Sequence, residues 1–171
     1  MTNVQLLNHI DGLYRYAVAL TRNRHEAGDL VQETYVRALT SIERLQTRDK
    51  PQMWLFTVMR RVWQDQTQRG HTDPMVDLSI GDSAAGVAMV TNNIPHLPMT
   101  ERQQVLETIR KLPVELREII ILREYESLSY DDIANLLDCP LSSVMVRIAR
   151  ARGELRALLY EGQQSHQPAN E

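Results

Sequence analysis

Residues 129–159 read SYDDIANLLDCPLSSVMVRIARARGELRALL, and on this stretch the fold turns. Ser129 followed three residues later by Asp132 is a capping arrangement for a helix over Tyr130–Leu137. Asp138–Cys139–Pro140 is a tight break, after which Leu141 leads to Ser142, the expected N-cap of a long second helix. Two helices across a turn of about three to four residues, the second one basic, form the helix-turn-helix plan. In that plan the second helix enters the major groove with its N-terminal part against base edges. Arg147, Arg150 and Arg152 stand where phosphates or bases come within reach. The same residues also fit a corner of a helical bundle with arginines on a solvated face, and the pattern alone leaves the two readings level. Ile133, Ala134, Leu137, Val144 and Ile148 are core positions in either. Cys139 reads as a small buried hydrophobe at the turn in preference to a redox group.

Working back towards the N-terminus, Thr100 is the expected N-cap of a helix over Glu101–Lys111. Leu112–Pro113 breaks it and Val114–Tyr125 resumes. Between Gly70 and Pro98 the character changes: Gly70, Pro74, Gly81, Gly86, Pro95 and Pro98 punctuate a stretch without a basic residue, read as a flexible linker with a short helical turn near Ala84–Val90. The first seventy residues read as three helices. Leu6, Leu7, Ile10, Leu13, Tyr14 and Ala17 form one apolar face, followed by a turn at Thr21–His25. Leu30, Val31, Thr34, Tyr35, Ala38, Leu39 and Ile42 form a second stripe. After the polar loop Gln46–Pro51, with Pro51 suited to a first helical turn, Trp54, Leu55, Val58, Met59 and Val62 mark the buried side of a third helix over Met53–Arg69. The expected division is therefore 1–70, a linker 71–99, a second helical block 100–161 and a frayed polar tail 162–171.

Composition agrees with an all-α chain. Strong helix formers dominate, Gly and Pro number seven each, and aromatic residues make up 5%. The single cysteine excludes an internal disulfide and a thiolate metal site, and suits a reducing cytoplasm. No apolar run is long enough to span a bilayer and the N-terminus lacks a signal-peptide layout, so no membrane insertion is expected. Net charge is −3, but it is unevenly spread. Residues 1–69 hold ten basic against seven acidic groups, residues 101–138 five against nine, and all four basic residues after 139 fall between Arg147 and Arg156. Screening confines each charge to about 8–10 Å, so the clusters matter more than the total.

Three segments resemble one family. Leu112–Leu159, LPVELREIIILREYESLSYDDIANLLDCPLSSVMVRIARARGELRALL, resembles region 4 of sigma factors of the extracytoplasmic-function (ECF) group within the sigma-70 family. Leu13–Leu39, LYRYAVALTRNRHEAGDLVQETYVRAL, is similar to regions 2.1 and 2.2, and Trp54–Arg69, WLFTVMRRVWQDQTQR, to regions 2.3 and 2.4. The resemblance runs over about residues 5–160 in the family's order. It implies an alternative RNA polymerase sigma factor of two small helical domains, a region 2 helical bundle and a region 4 helix-turn-helix, acting in transcription initiation.

Residue by residue, the resemblance implies that the DLVQET segment docks on the clamp helices of the polymerase's largest subunit, through Asp29, Leu30, Gln32, Glu33 and Arg37. It implies a further polymerase contact at the flap. The loop at about Leu45–Lys50 would capture an unpaired base of the −10 element, with Arg48, Lys50, Arg60, Arg61 and Arg69 at phosphates. Trp63 is open equally to base stacking and core packing, whereas Trp54 and Phe56 read as core. Ser142, Ser143, Met145, Val146, Arg147, Ala149 and Arg150 would meet the −35 element. Two departures stand out. Arg61 occupies a usual Asn position, with Asp65 kept and Gln66–Gln68 less basic than usual. Met145 and Val146 are apolar where members often carry basic or polar residues, which shifts readout towards thymine methyls and groove shape.

No enzyme motif is expected: a glycine-rich phosphate loop, HExxH and a Ser/His/Asp arrangement are all missing, and His9, His25, His71, His96 and His166 are dispersed. No cofactor or metal is expected. An anti-sigma factor is the expected regulator. The competing reading is a sigma-like decoy that sequesters an anti-sigma factor without reading DNA; a conventional helix-turn-helix repressor or activator leaves the first seventy residues without a purpose.

Overall fold

Apolar residues recurring every three or four positions close two separate cores, one in residues 1–83 and one in 84–171. The structure, a computed structural model, describes residues 6–21, 23–41, 50–70 and 99–164. Every regular element among them is helical. The expected turn near Ala84–Val90, Ile42 and the end of the tail lie outside the described residues, as does the expected linker up to Pro98.

In the first unit α1 (Ile10–Thr21), α2 (Arg24–Thr40) and α3 (Pro51–Gly70) pack pairwise. Their inward faces are Leu13, Tyr16, Ala17 and Leu20 from α1, Ala27, Leu30, Val31 and Ala38 from α2, and Leu55, Phe56, Met59 and Val62 from α3. Tyr16 and Phe56 meet edge to face, their centroids 5.1 Å apart, as ring quadrupoles prefer. Each fully buried large side chain contributes about 1.5–3 kcal/mol. Thr34, the polar residue in this core, donates its hydroxyl to the Leu30 carbonyl at 2.6 Å, which removes the cost of burying it unpaired.

Several boundaries differ from expectation for local reasons. Leu7 and Ile10, expected on the apolar face, are exposed. The chain turns at Asn8–His9, with the His9 N–H bonded to the Leu6 carbonyl at 3.2 Å; Leu6 before the turn is fully buried, as expected, and Leu7 is left outside. Leu39 is exposed as well; Ala38 takes the inward position and the next residue lies about 100° further round the helix. The turn before α2 is shorter than expected, because Asn23 caps the helix by accepting the His25 N–H at 2.8 Å. Pro51 does open α3, and the Lys50 carbonyl accepts the Trp54 N–H at 3.1 Å.

The second unit is built on one long helix. α4 (Met99–Lys111), α5 (Val114–Ile120) and α6 (Tyr130–Leu137) all pack on α7 (Leu141–Gln164). α5 widens into a π-helical turn, Ile121–Tyr125, closed by the Glu126 N–H on the Ile121 carbonyl at 3.0 Å. Thr100 lies inside the first turn of α4 instead of capping it, and α7 runs on to Gln164, past the expected end near 161. Ile119, Leu122, Ile133, Val144, Ile148 and Ala151 fill the centre. Arg117 is buried with them, and its Nη1 donates to the carbonyls of Arg110 and Leu112 at 3.2 Å each. Those carbonyls close α4, where helix geometry leaves acceptors without intrahelical donors, so a guanidinium acts as the cap.

Candidate functional site

The paired helices of residues 129–164 are set by three local devices. Ser129 caps α6, its Oγ accepting the Asp132 N–H at 3.0 Å. α6 ends on Asp138 in the left-handed region at φ 50, and the N–H groups of Asp138 and Cys139 both reach the Ala134 carbonyl. Asp tolerates that conformation better than most residues because its short polar side chain bonds locally. Pro140 then starts α7: its carbonyl accepts the Ser143 and Val144 N–H groups at 2.9 and 3.3 Å. Pro140, not Ser142, therefore holds the cap position. Ser142 lies one residue inside the helix with its side chain exposed.

α7 has two distinct faces. Val144, Ile148 and Ala151 point into the core. Ser142, Met145, Val146, Ala149 and Arg150 form the opposite, exposed stripe, flanked by half-buried Ser143 and Arg147. Ile133 and Leu137 are core as expected, while Ala134 and Cys139 are half-buried.

The arginines of α7 meet different fates. Arg147 has no charged partner among the described residues. Arg150 Nε donates to Glu154 at 2.9 Å along the same helix. Arg152 is held from the π-helical turn: Glu124 Oε1 accepts from its Nε at 3.0 Å and from its Nη2 at 2.5 Å. That pairing, chiefly the hydrogen bond, raises the Arg152 pKa further above the ordinary guanidinium value. Next to Glu124, Arg123 donates to the Leu128 carbonyl at 2.7 Å and lies 4.8 Å over the Tyr130 ring, a cation–π contact. Arg123 and Glu124 thus brace both helices of the pair from one turn. Sequence spacing gives no signal for a partner 28 residues away.

In the first unit, α2 presents exposed Asp29 and Gln32 with half-buried Glu33 and Arg37. Leu30, expected among the polymerase-contacting residues, is fully buried; it anchors the helix from beneath and has no surface to offer a partner. Two residues absent from that expectation, Val36 and Leu39, are exposed on α2 at 58% and 44%. Lys50, just before α3, and Arg61 on it are exposed, and Arg60 and Trp63 are half-buried. Phe56 is core as expected, whereas Trp54 is half-buried. Arg48, most of the Leu45–Lys50 loop and the Arg69 side chain lie outside the described residues. Arg37 joins α2 to α3: its Nε donates to Glu33 and its Nη1 to Asp65, each at 2.8 Å. These bonds, Asp65 first, raise its pKa.

With this geometry in hand, comparison with known proteins is specific. The family description "Sigma-70 region 2" matches residues 7–71 and "Sigma-70, region 4" matches residues 102–155. The chain is 32% identical over 155 residues to the ECF RNA polymerase sigma factor EcfG of Rhodopseudomonas palustris, covering 91% of this chain and 83% of that protein. It is 33% identical over 147 residues to the ECF RNA polymerase sigma-E factor of Haemophilus influenzae, covering 81% and 78% respectively. Among solved structures it resembles the sigma factor RpoE in complex with the anti-sigma factor NepR from Bartonella quintana, with a TM-score of 0.71 at 24% identity over 92% of this chain and 95% of that one.

Proposed function

The chain belongs to the ECF group of the sigma-70 family, and from that premise we propose that it directs core RNA polymerase to a particular set of promoters and assists their opening. The observation that carries this reading is α7: a long helix entered through a tight turn, its inner face packed and its N-terminal outer face, from Ser142 to Arg150, open to a ligand. That is the geometry by which helix-turn-helix proteins address base edges in the major groove. Ser142, Ser143, Met145, Val146, Arg147, Ala149 and Arg150 are its −35 contacts, and Lys50, Arg60, Arg61 and Trp63 serve the −10 element together with Arg48 and Arg69.

Asp29, Gln32, Glu33 and Arg37 are the polymerase-docking residues of α2. Exposed Val36 and Leu39 on the same helix favour a protein partner there, since side-by-side exposed apolar residues are a feature of docking faces. Phosphodiester chemistry belongs to the polymerase; this chain supplies recognition and needs no cofactor. Its place of action is the cytoplasm, where the polymerase works. Among the described residues no helix is long and apolar enough to cross a membrane. Regulation by an anti-sigma factor is part of the proposal, supported by the fold shared with a sigma factor solved in complex with one.

The test is transcription in vitro from a fragment library of the host genome, with core polymerase alone and with core polymerase plus this protein. Transcripts that require the protein and share two upstream elements are expected. Binding to polymerase with no promoter fired would favour the decoy; no binding to polymerase would end the reading.

A further inference from the structure

We infer that Met145 and Val146 read thymine 5-methyl groups in the −35 element, so that upstream specificity is carried by methyl packing more than by arginine hydrogen bonds to bases. The inference rests on the sigma-factor reading of α7 and adds to it the chemical feature recognised. Three observations lead to it. Val146 is 67% and Met145 52% exposed, adjacent in the second turn of the helix that faces DNA. With Ala149, a turn further on, they make an apolar strip bordered by Ser142 and Arg150. Of the neighbouring arginines, Arg152 is held by Glu124 on the π-helical turn, and Arg150, at the edge of the strip, shares its charge with Glu154 in an exposed pair along the same helix.

The chemistry of the groove supplies the occupant. Of the four bases only thymine presents a methyl group in the major groove. Met adapts its shape to an irregular apolar surface, whereas Val is stiff at χ1 and holds its two methyl groups in fixed directions. Arg147, with no charged partner among the described residues, and the hydroxyls of Ser142 and Ser143 are then left to phosphates, where they set register without reading sequence.

The experiment uses holoenzyme reconstituted from core polymerase and the full chain, on a promoter found by the transcription screen. Deoxyuridine replaces thymidine within the −35 element only, which removes methyl groups and leaves every base-edge hydrogen bond in place. A control template carries equal replacements in the spacer. At sub-saturating holoenzyme, initiation is expected to fall about fourfold for each contacted methyl removed, and to be unchanged on the control. The M145A/V146A double variant is expected to initiate less well on thymidine templates and to treat both templates alike. The inference is overturned if the wild-type protein transcribes both templates equally, if the double variant still discriminates between them as the wild type does, or if the −35 element contains no A·T pair. Absence of any protein-dependent transcript is a separate result, which removes the sigma-factor reading itself.

Discussion

Asp65 on α3 accepts a hydrogen bond from Arg37 on α2 at 2.8 Å, tying the helix proposed to dock on polymerase to the helix proposed to meet the −10 element. Both side chains keep a third or more of their surface in solvent, 36% and 47%, so the pair is screened. A double-mutant cycle with Arg37→Ala and Asp65→Ala is expected to give a coupling of about 0.5–1 kcal/mol. Urea unfolding at low and at high salt checks it: the coupling should shrink at high salt. A coupling above about 2 kcal/mol, insensitive to salt, would mean that the pair is a buried strut and not a surface link.

Tyr35 carries a pH-dependent part of the stability. Its hydroxyl donates to the Leu6 carbonyl at 2.9 Å, and burial, with a smaller contribution from the Asp11 charge, raises its pKa above 10.0. A group whose pKa is higher in the folded state stabilises fully below its unfolded pKa and loses that contribution as pH rises through the folded value. Tyr35→Phe is therefore expected to cost about 1 kcal/mol at neutral pH, with the gap to the wild type closing above about pH 10. Unfolding free energies from about pH 8 to 11 measure this; a constant gap would refute it.

Asp138 is held at φ 50 at the end of α6, where glycine fits without a Cβ penalty. Asp138→Gly should stabilise the chain by about 0.5 kcal/mol, and Asp138→Val should destabilise it by about 1–2 kcal/mol. Thermal melts of the two variants in parallel decide the matter. A lower melting temperature for the glycine variant would show that the aspartate side chain supports the turn.

Arg147 and Arg152 should differ in their response to salt. In promoter binding by holoenzyme, Arg147→Ala is expected to lessen the slope of log affinity against log salt by about 0.9, the share of one phosphate contact. Arg152→Ala should leave it nearly unchanged, because Glu124 already neutralises that charge. Equal changes in the two variants would show that the Glu124 pair opens on DNA.

Much of the architecture is legible from local rules. Ser129 three residues before Asp132 marks the start of α6, Pro51 marks the start of α3, and Leu112–Pro113 marks the break after α4. Such signals act within a few residues, through cap hydrogen bonds and the fixed φ of proline, so the chain carries them openly. The same holds for the inward positions Val144 and Ile148. Where local rules misplace a boundary, a neighbouring residue supplies the deciding bond. Pro140 displaces Ser142 as the cap of α7 because its carbonyl accepts the first helical N–H groups, and Leu7, just before the turn at Asn8–His9, is left outside.

The amino-acid sequence by itself determined the helical class, because periodicity and capping are short-range properties, and it carries the family in the segments that match. Only the tertiary structure decided which candidate side chains have a surface to offer. Leu39, placed on the apolar stripe by its spacing, is left outside when α1 and α3 pack around α2, and Arg152 is taken up by a carboxylate on the π-helical turn while Arg147 is not. Those outcomes depend on groups brought together from distant parts of the chain, and no spacing rule along a helix encodes them.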